Sequence, residues 1–311
     1  MSETSINRRQ LLGRSAAAVA AGSILMHSSR ASAAAEPPPA PAGHAQAGKK
    51  AGFKLGLCTY QLAENWDLKT MIDKCREVGI DAVELRTGHK HGVEPKLSKS
   101  ERQEVRKQCA DGGLKILSLG STCEYHATDP AVVAKNIEET KRFIELAADL
   151  GAKGVKVRPN GIPKGADEAK TLEQIGKSLR TCGEAAAASG IEIWCEIHGG
   201  QTSTPSFMRK IMDVADLPSV GVTWNSNRGS DDKNGSVKES FRLMRDKIKC
   251  VHINELVNGY PYRELFSLLN QAGYDRYALM EVSSLKSTSI EDTVRFMKFY
   301  KALWEELARP S

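Results

Sequence analysis

Residues 78–86 read Val-Gly-Ile-Asp-Ala-Val-Glu-Leu-Arg. An amphipathic helix ends at Gly79, which can take the left-handed conformation that closes a helix without a Cβ penalty. A β-rich run, Ala82–Leu85, begins three residues later. The same grammar recurs along the chain. Gly112-Gly113 precedes Lys115–Leu119, Gly151 precedes Gly154–Val157, Gly190 precedes Ile191–Glu196, and Gly273 precedes Tyr277–Val282. The first four markers, at Gly79, Gly113, Gly151 and Gly190, are 34, 38 and 39 residues apart. The longer gap to Gly273 hides one more unit, which turns near Leu217-Pro218 before a strand at Val220–Trp224. Strands at Lys54–Thr59 and Ile248–Ile253 bring the number to eight. Helix starts agree with this division. Asp67 can cap the first helix, Ser98-x-x-Glu101 is a capping box, Asp129-Pro130 sets an N-cap before proline, and Ser289-x-x-Asp292 opens the last helix. Strands that alternate with helices and read as continuous apolar runs imply a parallel sheet buried on both faces. Eight such units in residues 51–311 predict an α/β fold of (β/α)8 barrel type in a single domain. An open doubly wound sheet is the rival, but no GxGxxG or P-loop follows the first strand.

In a barrel of this kind the chemistry sits where the strands end, and these ends are unusually polar. The second strand runs into Glu84, Arg86, His89 and His91. The third leads to Glu124, Tyr125 and His126, and the fourth carries Lys156, Arg158 and Asn160. The fifth ends Trp194-Cys195-Glu196-Ile197-His198 and the sixth Trp224-Asn225-Ser226-Asn227-Arg228. The seventh holds His252, Asn254 and Glu255, and the eighth Glu281. A charge at the end of a buried strand is costly unless it is paired or bound to a cation. Each residue taken singly reads as a rim ion pair. Glu196, His252 and Glu281 on three different strands, with Asn225 on a fourth, predict a metal site together. A mixed oxygen and nitrogen donor set suits Mn²⁺, Mg²⁺, Co²⁺ or Zn²⁺. His89 and His91 read equally as solvated loop histidines, and Glu124 equally as a cap or a rim salt bridge.

The ends of the chain and its composition bound the rest. Asn7-Arg8-Arg9-Gln10-Leu11-Leu12 sets twin arginines before the apolar stretch Ala16–Met26, and Ala31-Ser32-Ala33 offers small residues for cleavage. Residues 1–33 therefore read as a Tat-type signal peptide and predict an exported, periplasmic protein. Residues 34–50, with Pro37, Pro38, Pro39 and Pro41, read as a Pro/Ala-rich linker. No apolar run reaches the length of a membrane span, so none is expected after signal cleavage. The chain of 311 residues is 41% hydrophobic, 26% charged and carries a net charge of +6. The leader holds Arg8, Arg9, Arg14 and Arg30 against Glu3, which leaves a balance too weak to imply nucleic acid as the main partner. The seven cysteines, all beyond residue 50, show no CxxC spacing and read as buried small apolar side chains rather than a disulfide framework.

"VELRTGHKHG" after the second strand, "WCEIHGG" after the fifth, "VGVTWNSNRG" at the sixth, "IKCVHINEL" at the seventh and "YALMEVS" at the eighth resemble the xylose isomerase-like barrel superfamily, in its sugar phosphate isomerase/epimerase branch, over residues 53 to about 306. The resemblance implies a divalent ion held by Glu196, Asn225, His252 and Glu281, with Glu196 and Glu281 as the catalytic proton-transfer pair. It implies a sugar or keto-sugar substrate, and proton abstraction next to its carbonyl through a metal-stabilised enediolate. Arg86, His89, Glu124, His126, Lys156, Arg158, His198 and Arg228 are the substrate-binding candidates. The chain departs from the family at Asn225, where the family has Asp, which removes one negative charge from the ligand set. A second departure follows at Asn227 and Arg228, where epimerases often carry a His. A 3-keto-glycoside lyase, which eliminates from the same intermediate, is the neighbouring reading. A non-catalytic carbohydrate-binding barrel is another, and an endonuclease-IV-like enzyme a third that export and the charge balance oppose. The resemblance leaves room for a homodimer.

Overall fold

The computed structural model describes residues 50–282 and 289–310. The predicted signal peptide and all but the last residue of the linker lie outside the described residues. Eight parallel strands, β1 (Lys54–Cys58), β2 (Ala82–Arg86), β3 (Lys115–Glu124), β4 (Gly154–Arg158), β5 (Glu192–Glu196), β6 (Val220–Asn225), β7 (Ile248–Ile253) and β8 (Tyr277–Met280), pair in chain order, and β8 returns to β1 to close a barrel. Among the described residues the helices are α1 (Tyr60–Ala63), α2 (Leu68–Val78), α3 (Lys99–Asp111), α4 (Pro130–Leu150), α5 (Glu168–Ala188), α6 (Pro205–Ala215), α7 (Lys238–Met244), α8 (Tyr262–Gln271) and α9 (Ile290–Ala308). No described helix is long and apolar enough to cross a membrane.

The start and stop signals act as their chemistry requires. Asp67, Asp129 and Ser289 accept hydrogen bonds from the first turns of α2, α4 and α9, and Ser98 with Glu101 forms the complete capping box of α3. The unit without a glycine marker turns at Asp216, a non-glycine residue with φ 39° at the end of α6. All seven cysteines are buried and free. Three details differ from the sequence expectation. The short helix α1 follows β1 directly. β3 runs on to Glu124, because the small residues after Leu119 let neighbours close in. A Cβ on Gly120 would lie 2.8 Å from Arg86 Cγ, and Ser121 Oγ donates to the carbonyl of Lys156 at 2.7 Å. β8 stops at Met280, although the Glu281 amide still donates to the carbonyl of Ile253 at 2.9 Å.

Side chains two apart on a strand share a face, and this period builds the barrel interior in layers. Ala82, Leu117, Trp194, Cys250 and Leu279 form one buried apolar cluster with Cys58. Trp194 is its largest member and has no exposed surface. Gly154 on β4 makes room for it: a Cβ there would lie 2.3 Å from the indole. Two residues further along the same strands come Glu84, Lys156, Glu196, His252 and Glu281, all buried. On β3 the phase changes at a bulge: Val83 pairs with Ile116 but Glu84 with Ser118, so Leu117 is the extra residue and Ser118 lies beside Glu84. The step from apolar floor to charged mouth is thus one pleat long.

Candidate active site

The predicted metal residues converge. Donor atoms of Glu196, His252 and Glu281 all lie within 4.8 Å of one another. His252 Nδ1 is 3.3 Å from Glu281 Oε2 and 3.9 Å from Glu196 Oε1. Asn225, paired with His252 across β6 and β7, donates its Nδ2 to Glu196 Oε1 at 3.0 Å. Among buried polar atoms, Asn225 Oδ1 and both imidazole nitrogens of His252 lack a partner in hydrogen-bond geometry. Asn225 Oδ1 is an orphaned acceptor, and with His252 Nδ1 and the carboxylates of Glu196 and Glu281 it makes an oxygen and nitrogen donor set that fits a divalent ion.

Cys58, Glu84 and His252 form a second trio within the same reach. Its carboxylate is already engaged: Ser118 Oγ donates to Glu84 Oε2 at 2.8 Å and the Cys58 thiol to Oε1 at 3.6 Å. Burial, with the carboxylates of Glu84 and Glu281 beside it, pushes the Cys58 thiol well up, so sulfur stays protonated. Glu84 therefore supports His252 rather than competing for an ion. Its Oε1 is 3.4 Å from Nε2, the place from which a carboxylate turns the other ring nitrogen toward a metal. The sequence reading placed Glu84 at this mouth without giving it a role; the missed signal was its position on the strand, in step with Glu196.

The electrostatics follow from burial and neighbours. Burial alone would raise the carboxyls of Glu84 and Glu196, but His252 and Lys156 outweigh it and hold both at about 2. Burial would lower the imidazole of His252; Glu281 and Glu84 instead raise it to about 10. Lys156, one of the substrate-binding candidates, is fully buried, its Nζ 2.8 Å from Glu196 Oε2. Burial opposes its charge, while Glu196 and Glu84 keep its ammonium raised.

The other substrate-binding candidates do not share one place. Arg86 belongs to the cluster, with its guanidinium 3.7 Å from Glu281 Oε1 and stacked 4.7 Å over the Tyr60 ring. Glu124 and Arg158 pair with each other at the ends of β3 and β4, and His126 Nδ1 stands 3.9 Å from Glu124. His198 Nδ1 is 3.1 Å from Asn160 Oδ1, where Gly199, at φ 86°, packs so closely on Asn160 that a Cβ would lie 2.5 Å from its carbonyl carbon. His89 Nδ1 is 2.9 Å from Thr59 Oγ1, and burial with His91 and Arg86 nearby lowers it to about 4. His91 braces the loop: its Nδ1 accepts from Val93 N–H, so Nε2 donates to the Arg86 carbonyl. Arg228 is exposed and donates to the carbonyl of Asn258 at 2.7 Å.

The family described as xylose isomerase-like TIM barrel matches residues 72–300. A ketose 3-epimerase of Arthrobacter globiformis is 23% identical over 258 residues, covering 77% of this chain and 85% of that protein. Among solved structures, a D-psicose 3-epimerase with D-tagatose from Clostridium cellulolyticum superposes with a TM-score of 0.70 at 15% identity, over 83% of this chain and 100% of that one. An IolI protein with a bound zinc atom superposes with a TM-score of 0.68 at 17% identity, over 82% and 98%. These two likenesses establish the fold.

Proposed function

The chain belongs to the xylose isomerase-like TIM barrel family, and from that premise we propose that it is a sugar isomerase or epimerase, acting by proton transfer at the carbon next to a carbonyl. The observation that carries this reading is the convergence of Glu196, His252 and Glu281 in one buried mouth. The ketose 3-epimerase relative supports it. Glu196, Asn225, His252 and Glu281 would hold a divalent ion, which supplies a Lewis acid for the substrate oxygens. Glu281 is the less tethered carboxylate, with His252, Arg86 and Cys58 at 3.3, 3.7 and 3.9 Å, and takes the proton. Glu196, held at both oxygens, is the second proton-transfer group. Arg86, beside Glu281, steadies negative charge developing on the substrate.

The test is incubation of the full chain with keto-sugars and 3-keto-glycosides in D₂O with Mn²⁺. Deuterium at the carbon next to the carbonyl without cleavage is expected. Loss of a leaving group would turn the reading to a lyase, and no exchange with any substrate would overturn it. We also propose export by the Tat route, on the twin arginines at Arg8 and Arg9; replacing both with Lys should leave the protein in the cytoplasm.

A further inference from the structure

Glu196 is satisfied by the protein's own groups. Lys156 Nζ reaches one oxygen at 2.8 Å and Asn225 Nδ2 the other at 3.0 Å. An ammonium with no exposed surface, seated among carboxylates, is a strong electrostatic commitment, because a desolvated charge is tolerated only beside an opposite one. Asn225 adds to the effect. An Asp there would repel Glu196 unless a cation lay between them, whereas the amide donates to it.

Charge counting points the same way. In the ion-bound mouth, where His252 must be neutral to act as a ligand, Glu84, Glu196 and Glu281 face two side-chain cations, Lys156 and Arg86. A divalent ion added to that set leaves one positive charge in excess. With Asp in place of Asn225, or with an apolar side chain in place of Lys156, the same ion closes the balance to zero. Lys156 also occupies an oxygen of Glu196 that an ion would otherwise draw on.

We infer that Lys156 is a built-in cation of this mouth: with Asn225 it holds Glu196 in place without a metal and sets a low affinity for divalent ions, so that Lys156 and an ion compete for one carboxylate. This rests on the reading of Glu196, Asn225, His252 and Glu281 as the ion-binding set. Its consequence is an ion that exchanges readily instead of one locked in the barrel.

The experiment is calorimetric titration of Mn²⁺ into the chelator-stripped full chain, with Mn²⁺ electron paramagnetic resonance as a second readout, for wild type, Lys156→Met and Asn225→Asp. Removing a positive charge, or adding a negative one, a few ångströms from a divalent ion is worth about ten-fold or more in affinity. Both variants should therefore bind Mn²⁺ at least about ten times more tightly than wild type. Asn225→Asp, which leaves Lys156 in place, carries the test if Lys156→Met does not fold. In chelator it should melt below wild type, and Mn²⁺ should restore it by more than it shifts wild type. Equal or weaker binding in folded variants would overturn the inference alone. No binding by any of the three proteins would overturn the ion-site reading and this inference with it.

Discussion

The two ends of the barrel are built from the same strands and differ by one pleat, yet they obey opposite rules. At the floor, charge stays at the edge and apolar surface fills the centre. Trp194 plugs the interior and donates its indole N–H to Glu192 Oε2 at 2.8 Å. Glu192 pairs with Arg276, whose guanidinium stacks 5.3 Å from the indole, and Lys249 lies 3.7 Å away. At the mouth, Glu84, Lys156, Glu196, His252 and Glu281 are charged or ionisable and buried at the centre. Groups like these cost stability unless they are matched, and their close mutual pairing offsets that cost. The contrast teaches where a barrel spends its packing: the floor is arranged for stability and the mouth for electrostatics.

The comparison can be broken at either end. Glu281→Gln should lower turnover by about 10²- to 10⁴-fold, the range a positioned proton-transfer group contributes, with an unchanged circular dichroism spectrum. Turnover near wild type would remove Glu281 from its assigned role. At the floor, Trp194→Ala should cost about 3–5 kcal/mol of stability in denaturant titrations, the usual loss for a buried aromatic. A cost below 1 kcal/mol, on the order of a surface change, would mean that the plug is not structural. Glu84→Gln should weaken Mn²⁺ binding by about 10- to 100-fold, as second ligands' partners do; unchanged calorimetry would reduce Glu84 to packing.

A smaller effect sits at the rim. Asp231 is buried, with Oδ2 accepting from Tyr260 Oη at 2.6 Å and Oδ1 unpartnered. Burial raises its carboxyl from 3.8 to about 7. A raised folded-state value means that its stabilising contribution is complete below pH 3.8 and is lost as pH rises through about 7. The melting temperature of Asp231→Asn relative to wild type should therefore climb between those two pH values and then level off. A flat difference would place the carboxyl near its ordinary range.

Much of this was legible in the chain because it is local. Gly79, Gly113 and Gly151 mark helix ends through their own backbone freedom, and Ser98 with Glu101 caps α3 through a motif that spans only residues 98–101. Glu196, His252 and Glu281 stood out because each interrupts an apolar run, and a charge in such a place demands a partner. What escaped was whatever needed a partner from another strand. Arg228 read as a site residue by its position after β6, and it is exposed and donates to the carbonyl of Asn258, on a different loop. His91, read equally as a solvated loop histidine, is instead held locally: Val93 N–H and the Arg86 carbonyl take both its nitrogens.

The amino-acid order alone determined the eight alternating units and which residues on each strand share a face, since dihedral preferences and a two-residue period act within a few residues of one another. Only the closed sheet decided that Lys156 would meet Glu196, that Glu84 would support His252, and that Asn225 would donate to a carboxylate. Those meetings depend on register between strands, including the bulge at Leu117, and register is set by hydrogen bonds between segments that lie far apart in the chain.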